Sequence, residues 1–357
     1  MLQSLIQEIK PLDVTAMDEA KKHQAKLAKP PGSLGKLEDI SVQLAGITGK
    51  VHNSIEKKHL LVFAADNGVV AEGVASAPQS VTLKQAINLT KEKTGAAVLA
   101  AHFGCGISVC DVGINADAKN SDVIDKKIAY GTNNIVKGSA MTKEQAIKAI
   151  ITGDELAKST DADIIGVGEM GIGNTTTASA VLSVLLDVDA EKVTGRGAGI
   201  TDSAFRKKKD VIKQAIKINN PDKNDVLDVL SKVGGFDIAA MCGAYLGAAA
   251  SRKPVVIDGF ISVVAALCAA KLCPNVLNYL IASHASFEIG YSLAIKELGL
   301  SPMLNLNMRL GEGSGCPLAF QIVDAACGIM NKMATFEDAN INDDYLEEIR
   351  QGDNFTP

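Results

Sequence analysis

The chain has no tryptophan, and aromatic residues make up only 4% of its 357 positions, so its interior has to be packed from aliphatic side chains. It has no hydrophobic run approaching the roughly 18 residues of a membrane span. Its first residues, MLQSLIQEIKPLD, lack the basic-then-apolar order of a secretory leader. A membrane partner is therefore not expected, and the expected location is the cytoplasm. Positive charge is not in excess either. The formal net charge is -5, which leaves no electrostatic footprint for nucleic acid. Seven cysteines without a CxxC pair argue against a disulfide framework and for reduced, buried thiols. The neighbours His102, Cys105 and Cys110 match no zinc spacing. No strand pattern is followed by GxGxxG with an acid about 20 residues on, which disfavours a NAD-dependent dehydrogenase. No G-x-S-x-G elbow is present, which disfavours acyl transfer through serine.

What remains is a soluble globular composition, 47% hydrophobic and 22% charged. Residues 1 to about 50 have helical period, interrupted at Lys29-Pro30-Pro31-Gly32-Ser33-Leu34-Gly35, and read as a helical appendage. From His59 onward short apolar runs end in Asp or Gly and give way to helix: residues 60–66, 107–113, 164–168 and 255–259. Continuous apolar strands alternating with helices predict an α/β fold, a parallel sheet covered by helices on both faces, with ligands beyond the carboxyl ends of the strands. Asp66, Asp111, Glu169 and Asp258 then share one edge. Alanine-rich helices are expected at 239–250 and 262–270, and a further helix near 343–350.

Two glycine-rich segments present a carboxylate. Met308-Arg309-Leu310-Gly311-Glu312-Gly313-Ser314-Gly315 sets Glu312 in a turn that can close around a small ligand, a candidate general base. The ordinary alternative is that Glu312 caps the helix that follows. Val167-Gly168-Glu169-Met170-Gly171-Ile172-Gly173-Asn174-Thr175-Thr176 sets Glu169 directly before a helix start. Gly171, Gly173, Asn174, Thr175 and Thr176 there offer N–H groups and hydroxyls at the positive end of a helix dipole, a phosphate cradle, although the segment fits neither GxGxxG nor a P-loop. Lys207, Lys208 and Lys209 follow the glycine-rich stretch 194–199 and could supply counter-charge, or be a solvated face. His284 reads as a hydrogen-bonded structural histidine near an apolar helix.

Five ordered blocks across nearly the whole chain resemble the signature segments of the nicotinate-nucleotide:dimethylbenzimidazole phosphoribosyltransferase family: residues 30–38, 63–69, 167–177, 234–241 and 308–315. The resemblance implies transfer of 5-phosphoribose from nicotinate mononucleotide to 5,6-dimethylbenzimidazole, giving α-ribazole 5'-phosphate and nicotinate for the nucleotide loop of cobalamin. It makes Glu312 the base that removes the benzimidazole N–H proton and Glu169 a second active-site carboxylate. It assigns Gly171, Gly173, Asn174, Thr175, Thr176 and Lys208 to the phosphoribosyl end, and Ser76 and Gln85 to the base. Where the family often has His, this chain has Asn67, which can hydrogen-bond but not titrate. The implied fold is a Rossmann-like parallel sheet over 56–330 with a small helical domain from both chain ends, 1–55 and 331–357, working as a homodimer. No acidic pair for magnesium-pyrophosphate is present, so neither a metal nor a cofactor is expected. Rival readings are the same transfer to another lower base, such as adenine, another benzimidazole or a phenol, and a non-catalytic nucleotide-binding subunit of a hetero-oligomer. Retention of both glutamates argues against the latter.

Overall fold

The structure, a computed structural model, describes residues 2–119 and 121–346. Three helices lead: α1 (Leu2–Glu8), α2 (Val14–Lys26) and α3 (Lys36–Thr48). The body continues with β1 (Lys58–Ala65), α4 (Val81–Leu89), α5 (Gly95–His102), β2 (Gly106–Gly113), β3 (Ile124–Asp125), α6 (Lys143–Ser159), β4 (Ile164–Met170) and α7 (Asn174–Leu186). It closes with α8 (Asp202–Asn219), α9 (Val226–Val233), α10 (Phe236–Ala250), β5 (Val255–Ile257), α11 (Phe260–Leu272), β6 (Leu280–Ala282), α12 (Tyr291–Glu297) and α13 (Cys316–Lys332).

The sheet is wholly parallel, ordered β3-β2-β1-β4-β5-β6. Strand β1 shows why the runs read as continuously apolar. Leu61 and Phe63 pack with α10 on one face, and Leu60, Val62 and Ala64 pack with α5 and α13 on the other. Alternate side chains of a strand point to opposite faces, so a strand sandwiched between two helical layers has no position left for a polar group. The expected helices at 239–250 and 262–270 are α10 and α11. Two strands were not foreseen: β3 has only two residues, and β6 runs directly into His284, so the apolar segment beside that histidine is strand rather than helix.

The last described segment returns to the first helices. Residues 334–336 return along 26–28, with Ala28 N–H donating to Ala334 O and Phe336 N–H to Lys26 O, both at 2.9 Å. Ala16, Ala20, Ala45 and Met330 form a small separate core there. Helix α1 instead buries Leu2 and Leu5 in the main core. The described part of the expected 343–350 helix is one 3-10 turn, Asp344–Leu346, and its remainder lies outside the described residues. Among the described residues no helix is long and apolar enough to cross a membrane.

The sheet order reverses direction between β1 and β4. In open parallel sheets the loops part at such a switch point and leave a crevice beyond the carboxyl ends. Here Phe63 of β1 is in register with Glu169 of β4.

Candidate active site

A cavity opens at that switch point. Its walls are the loop after β1 (residues 74–77), the end of β4 with the start of α7 (169–175), the 196–200 loop, the start of α11 (259–261), His284, Ser286 and Glu288 beyond β6, and residues 309–312.

The turn carrying Glu312 is built by three successive left-handed residues, Gly311 (φ +84°), Glu312 (φ +62°) and Gly313 (φ +82°). The outer two suit glycine. A non-glycine residue in this region is uncommon and persists only where its surroundings hold it. What holds Glu312 is Asp258, at the end of β5 and 2% exposed, whose carboxylate accepts N–H groups from Gly313 (3.0 Å) and Gly315 (2.7 Å). The turn also lies directly on β4: a Cβ at Gly168 would stand 2.5 Å from Gly313 N. Glu312 does not cap the helix that follows it, since α13 begins behind Gly315 with no side-chain cap. Its carboxylate lies instead at the start of α5, where Oε2 accepts from Ala96 N at 3.3 Å, and the residue is 6% exposed.

Glu169 sits beneath the turn. Its Oε1 accepts the Glu312 N–H at 3.4 Å, and its Oε2 accepts from Asn174 Nδ2. The same Nδ2 donates to Asp237 Oδ2 at 3.1 Å, so one amide bridges two buried carboxyl groups. Burial, and then the nearby Asp237 charge, push Glu169 up to about 8. Burial pushes Asp237 up to about 6 and Asp258 up to about 7. Among the described residues, no three His, Cys, Asp or Glu side chains are grouped to hold a metal ion.

At the other end α7 starts behind Gly173 (φ +95°) without a side-chain cap. Helix α8 turns Lys208, Val211, Ile212 and Ala215 inward, the 3.6-residue period of one buried stripe. The lysine triplet is thereby sorted. Lys207 is exposed and Lys209 lies over the Phe205 ring, whereas Lys208 is 1% exposed and donates to Thr175 Oγ1 (2.8 Å) and Gly195 O (3.0 Å). Burial draws Lys208 down to about 8, with the Glu288 charge opposing. Gly171, Gly173, Asn174 and Thr175 line the cavity, as does Ser76 on the opposite wall. Three expected residues do not: Thr176, Gln85, and Lys208, which reaches the lining only through its hydrogen bond to Thr175. Thr176 is fully buried with no hydrogen-bond partner for its hydroxyl among the described residues, because the helical turn that aims Thr175 at the cavity aims Thr176 into the core. Gln85 lies along α4, accepting from Asn88 Nδ2 at 2.9 Å, outside the residues that line the cavity. Asn67 is fully buried, with Oδ1 accepting from Thr177 Oγ1 at 3.1 Å.

Reading the sequence missed the supports. Asp237 lay inside the 234–241 block and Asp258 at a strand end, but nothing local says that one shares an amide with Glu169 and the other clamps the Glu312 turn. Arg196, Glu288 and Arg309 also line the cavity. Arg309 and Arg196 lay inside quoted glycine-rich segments and Glu288 near His284, but nothing local says that these side chains face the cavity.

A parallel α/β sheet whose switch-point cavity joins poised carboxylates to a buried lysine at a helix start fits the phosphoribosyltransferases, and the chain matches the phosphoribosyltransferase family model over residues 9–341. More narrowly, it belongs to the nicotinate-nucleotide--dimethylbenzimidazole phosphoribosyltransferase family. It is 53% identical over 353 residues to the enzyme of that name from Clostridium perfringens, covering 98% of both chains. It is 49% identical over 355 residues to that of Clostridium tetani, again covering 98% of both. The crystal structure of the Thermus thermophilus enzyme superposes with a TM-score of 0.88 at 35% identity, covering 93% of this chain and 99% of that one.

Proposed function

We propose that this chain transfers 5-phosphoribose from nicotinate mononucleotide to 5,6-dimethylbenzimidazole in cobalamin synthesis, with Glu312 as general base and inversion at C1'. The observation that carries the assignment of roles is the Glu312 carboxylate, held by a clamped left-handed turn in the wall of a cavity that Thr175 also lines, with Lys208 donating to Thr175 from behind.

In nicotinate mononucleotide the ring nitrogen is already cationic and leaves without protonation. The donor therefore needs no acid. The acceptor needs a base: as one benzimidazole nitrogen attacks C1', positive charge builds on the ring until the other nitrogen gives up its proton. Glu312 takes that proton. Gly173, Thr175 and Lys208 hold the 5'-phosphate through the helix start and a charge-assisted contact. Asn174, its N–H groups committed to Glu169 and Asp237, holds these two carboxyl groups in place. Glu169, neutral below about 8, contacts the ribose and holds the Glu312 turn through its Oε1. Ser76 contacts the incoming base.

The enzyme acts as a homodimer in the cytoplasm. Exposed Phe287, Ile289, Leu306 and Leu310 near the cavity supply apolar surface for a partner copy, and all seven cysteines are free and buried, as suits a reducing compartment. Incubation with nicotinate mononucleotide and a panel of bases, followed by chromatography, tests the reaction. Nicotinate release coupled to α-ribazole 5'-phosphate is the expected result, and release with no ribosylated product refutes it.

A further inference from the structure

Thr82 stands on one side of the cavity and bonds to the other. It belongs to the first turn of α4, the helix that follows the acceptor wall at residues 74–77, yet it is fully buried and is not among the residues that line the cavity. Its Oγ1 accepts the N–H of Ile172 at 3.1 Å, in the Gly171-Ile172-Gly173 turn that leads into α7. That turn is the donor side of the site. Two other contacts fix it from behind: a Cβ at Gly171 would run into Ala65 O, and one at Gly173 would stand 2.7 Å from Val70 Cγ2. Packing thus limits where the two glycines lie, whereas the direction of the Ile172 N–H is set by a hydrogen bond.

A hydroxyl serves an N–H only through a lone pair, and it is free to rotate unless something takes its proton. Asp66 is placed to take it. The Thr82 hydroxyl lies beside the Asp66 carboxyl and favours its charged form, against the burial that opposes it. Asp66 is 2% exposed and is tied on three sides: its N–H donates to Gly113 O (2.9 Å), its carbonyl accepts from Thr132 N–H (3.0 Å), and its Oδ2 accepts from Asn115 N–H (2.8 Å). Its Oδ1 is buried and meets no N–H among the described residues, so an acceptor remains for the hydroxyl proton. The end of β1, the start of α4 and the turn before α7 are thereby joined in a line behind the cavity, from Asp66 through Thr82 to Ile172.

We infer that Thr82 is a positioning residue for the phosphoribosyl donor: its hydroxyl, oriented by Asp66, fixes the Ile172 peptide so that the start of α7 meets the 5'-phosphate. This rests on the donor proposed above. Thr82 touches no substrate, so its effect is carried by the turn. Without the hydroxyl the Ile172 N–H is buried with no acceptor, and the peptide turns to find one. A residue that served only to hold α4 would act elsewhere. Its loss would be felt first in the wall that precedes α4, where Ser76 meets the incoming base.

The test compares the two substrates in Thr82→Val, which keeps the shape of the side chain and removes the hydroxyl. KM for nicotinate mononucleotide should rise about tenfold, the loss expected of one buried hydrogen bond, while KM for 5,6-dimethylbenzimidazole stays within about twofold. Thr82→Ser, which keeps the hydroxyl, should restore the donor KM. Ribose 5-phosphate, titrated as a ligand that carries the phosphate without the ring, should bind Thr82→Val weaker by a factor similar to that on the donor KM. Asp66→Asn preserves the test if Thr82→Val does not fold: an amide offers N–H in place of an acceptor and frees the hydroxyl to turn, so the donor KM should rise by a smaller factor with the acceptor KM unchanged. Equal changes in both KM values, or an unchanged donor KM and ribose 5-phosphate affinity in folded variants, overturn the positioning role. Failure of the unaltered enzyme to transfer from nicotinate mononucleotide at all would instead overturn the donor assignment, and the ribose 5-phosphate titration would still read the turn.

Discussion

Three helices start at or beside this cavity, and they are treated differently. Helix α5 receives one of the protein's own anions, the Glu312 carboxylate on Ala96 N, in addition to Thr94 at its cap. Helices α7 and α11 start behind glycines with no side chain on them. A helix start offers the same partial positive charge in each case. Where the protein fills it, the Glu312 carboxylate is fixed in one place. Where the protein leaves it open, the charge is available to a substrate. The acceptor side of the cavity is thus internally satisfied before any ligand arrives, and the donor side is not.

The largest effect comes from breaking the filled side. Glu312→Gln should lower kcat at least a hundredfold, the lower end of what a general base contributes, with binding of both substrates retained. Steady-state kinetics beside equilibrium binding checks this, and near-normal turnover in a folded variant would remove Glu312 from the mechanism. Next is the clamp beneath it. Asp258→Asn replaces one of two acceptors with an N–H2 group facing a backbone N–H, so the turn loosens and kcat should fall some tens-fold, in the range of a lost hydrogen bond to a charged group.

The open side should respond in KM rather than kcat. Lys208→Met should raise KM for nicotinate mononucleotide about tenfold or more through the lost charge-assisted contact with the phosphate. In the unaltered enzyme that KM should also climb as pH passes about 8, where Lys208 gives up its charge, and the variant should lack that rise.

The last effect is on stability rather than on turnover. Glu169 is raised from 4.5 to about 8 by folding. Between those values the folded protein keeps a proton that the unfolded chain releases, so the contribution of Glu169 to stability declines as pH rises through that window. Glu169→Gln should therefore gain Tm relative to the unaltered protein with rising pH and level off above about 8. A Tm difference independent of pH would contradict this.

The two sides also differed in how legible they were in the sequence. Strand-then-glycine-then-helix segments announced the parallel sheet and brought Asp66, Asp111, Glu169 and Asp258 to one edge, and the glycine turn singled out Glu312, because those signals are local. Lys208 could be singled out from its two neighbours only by resemblance, since the inward stripe of α8 depends on what it packs against. Thr176 illustrates the same limit: adjacent threonines at a helix start point about 100° apart, and spacing alone does not say which one meets the cavity. The clamp by Asp258 was out of reach for a different reason. It joins the end of β5 to a turn more than fifty residues later, with nothing in either segment to record the pairing.

The central claim is that the two sides face each other across C1', with the base that attacks on one and the ring that leaves on the other. The anomeric configuration of the product tests it most directly. Proton NMR of the ribosylated benzimidazole made from β-nicotinate mononucleotide should show the α anomer alone, and a β product or a mixture of anomers would contradict a single in-line displacement.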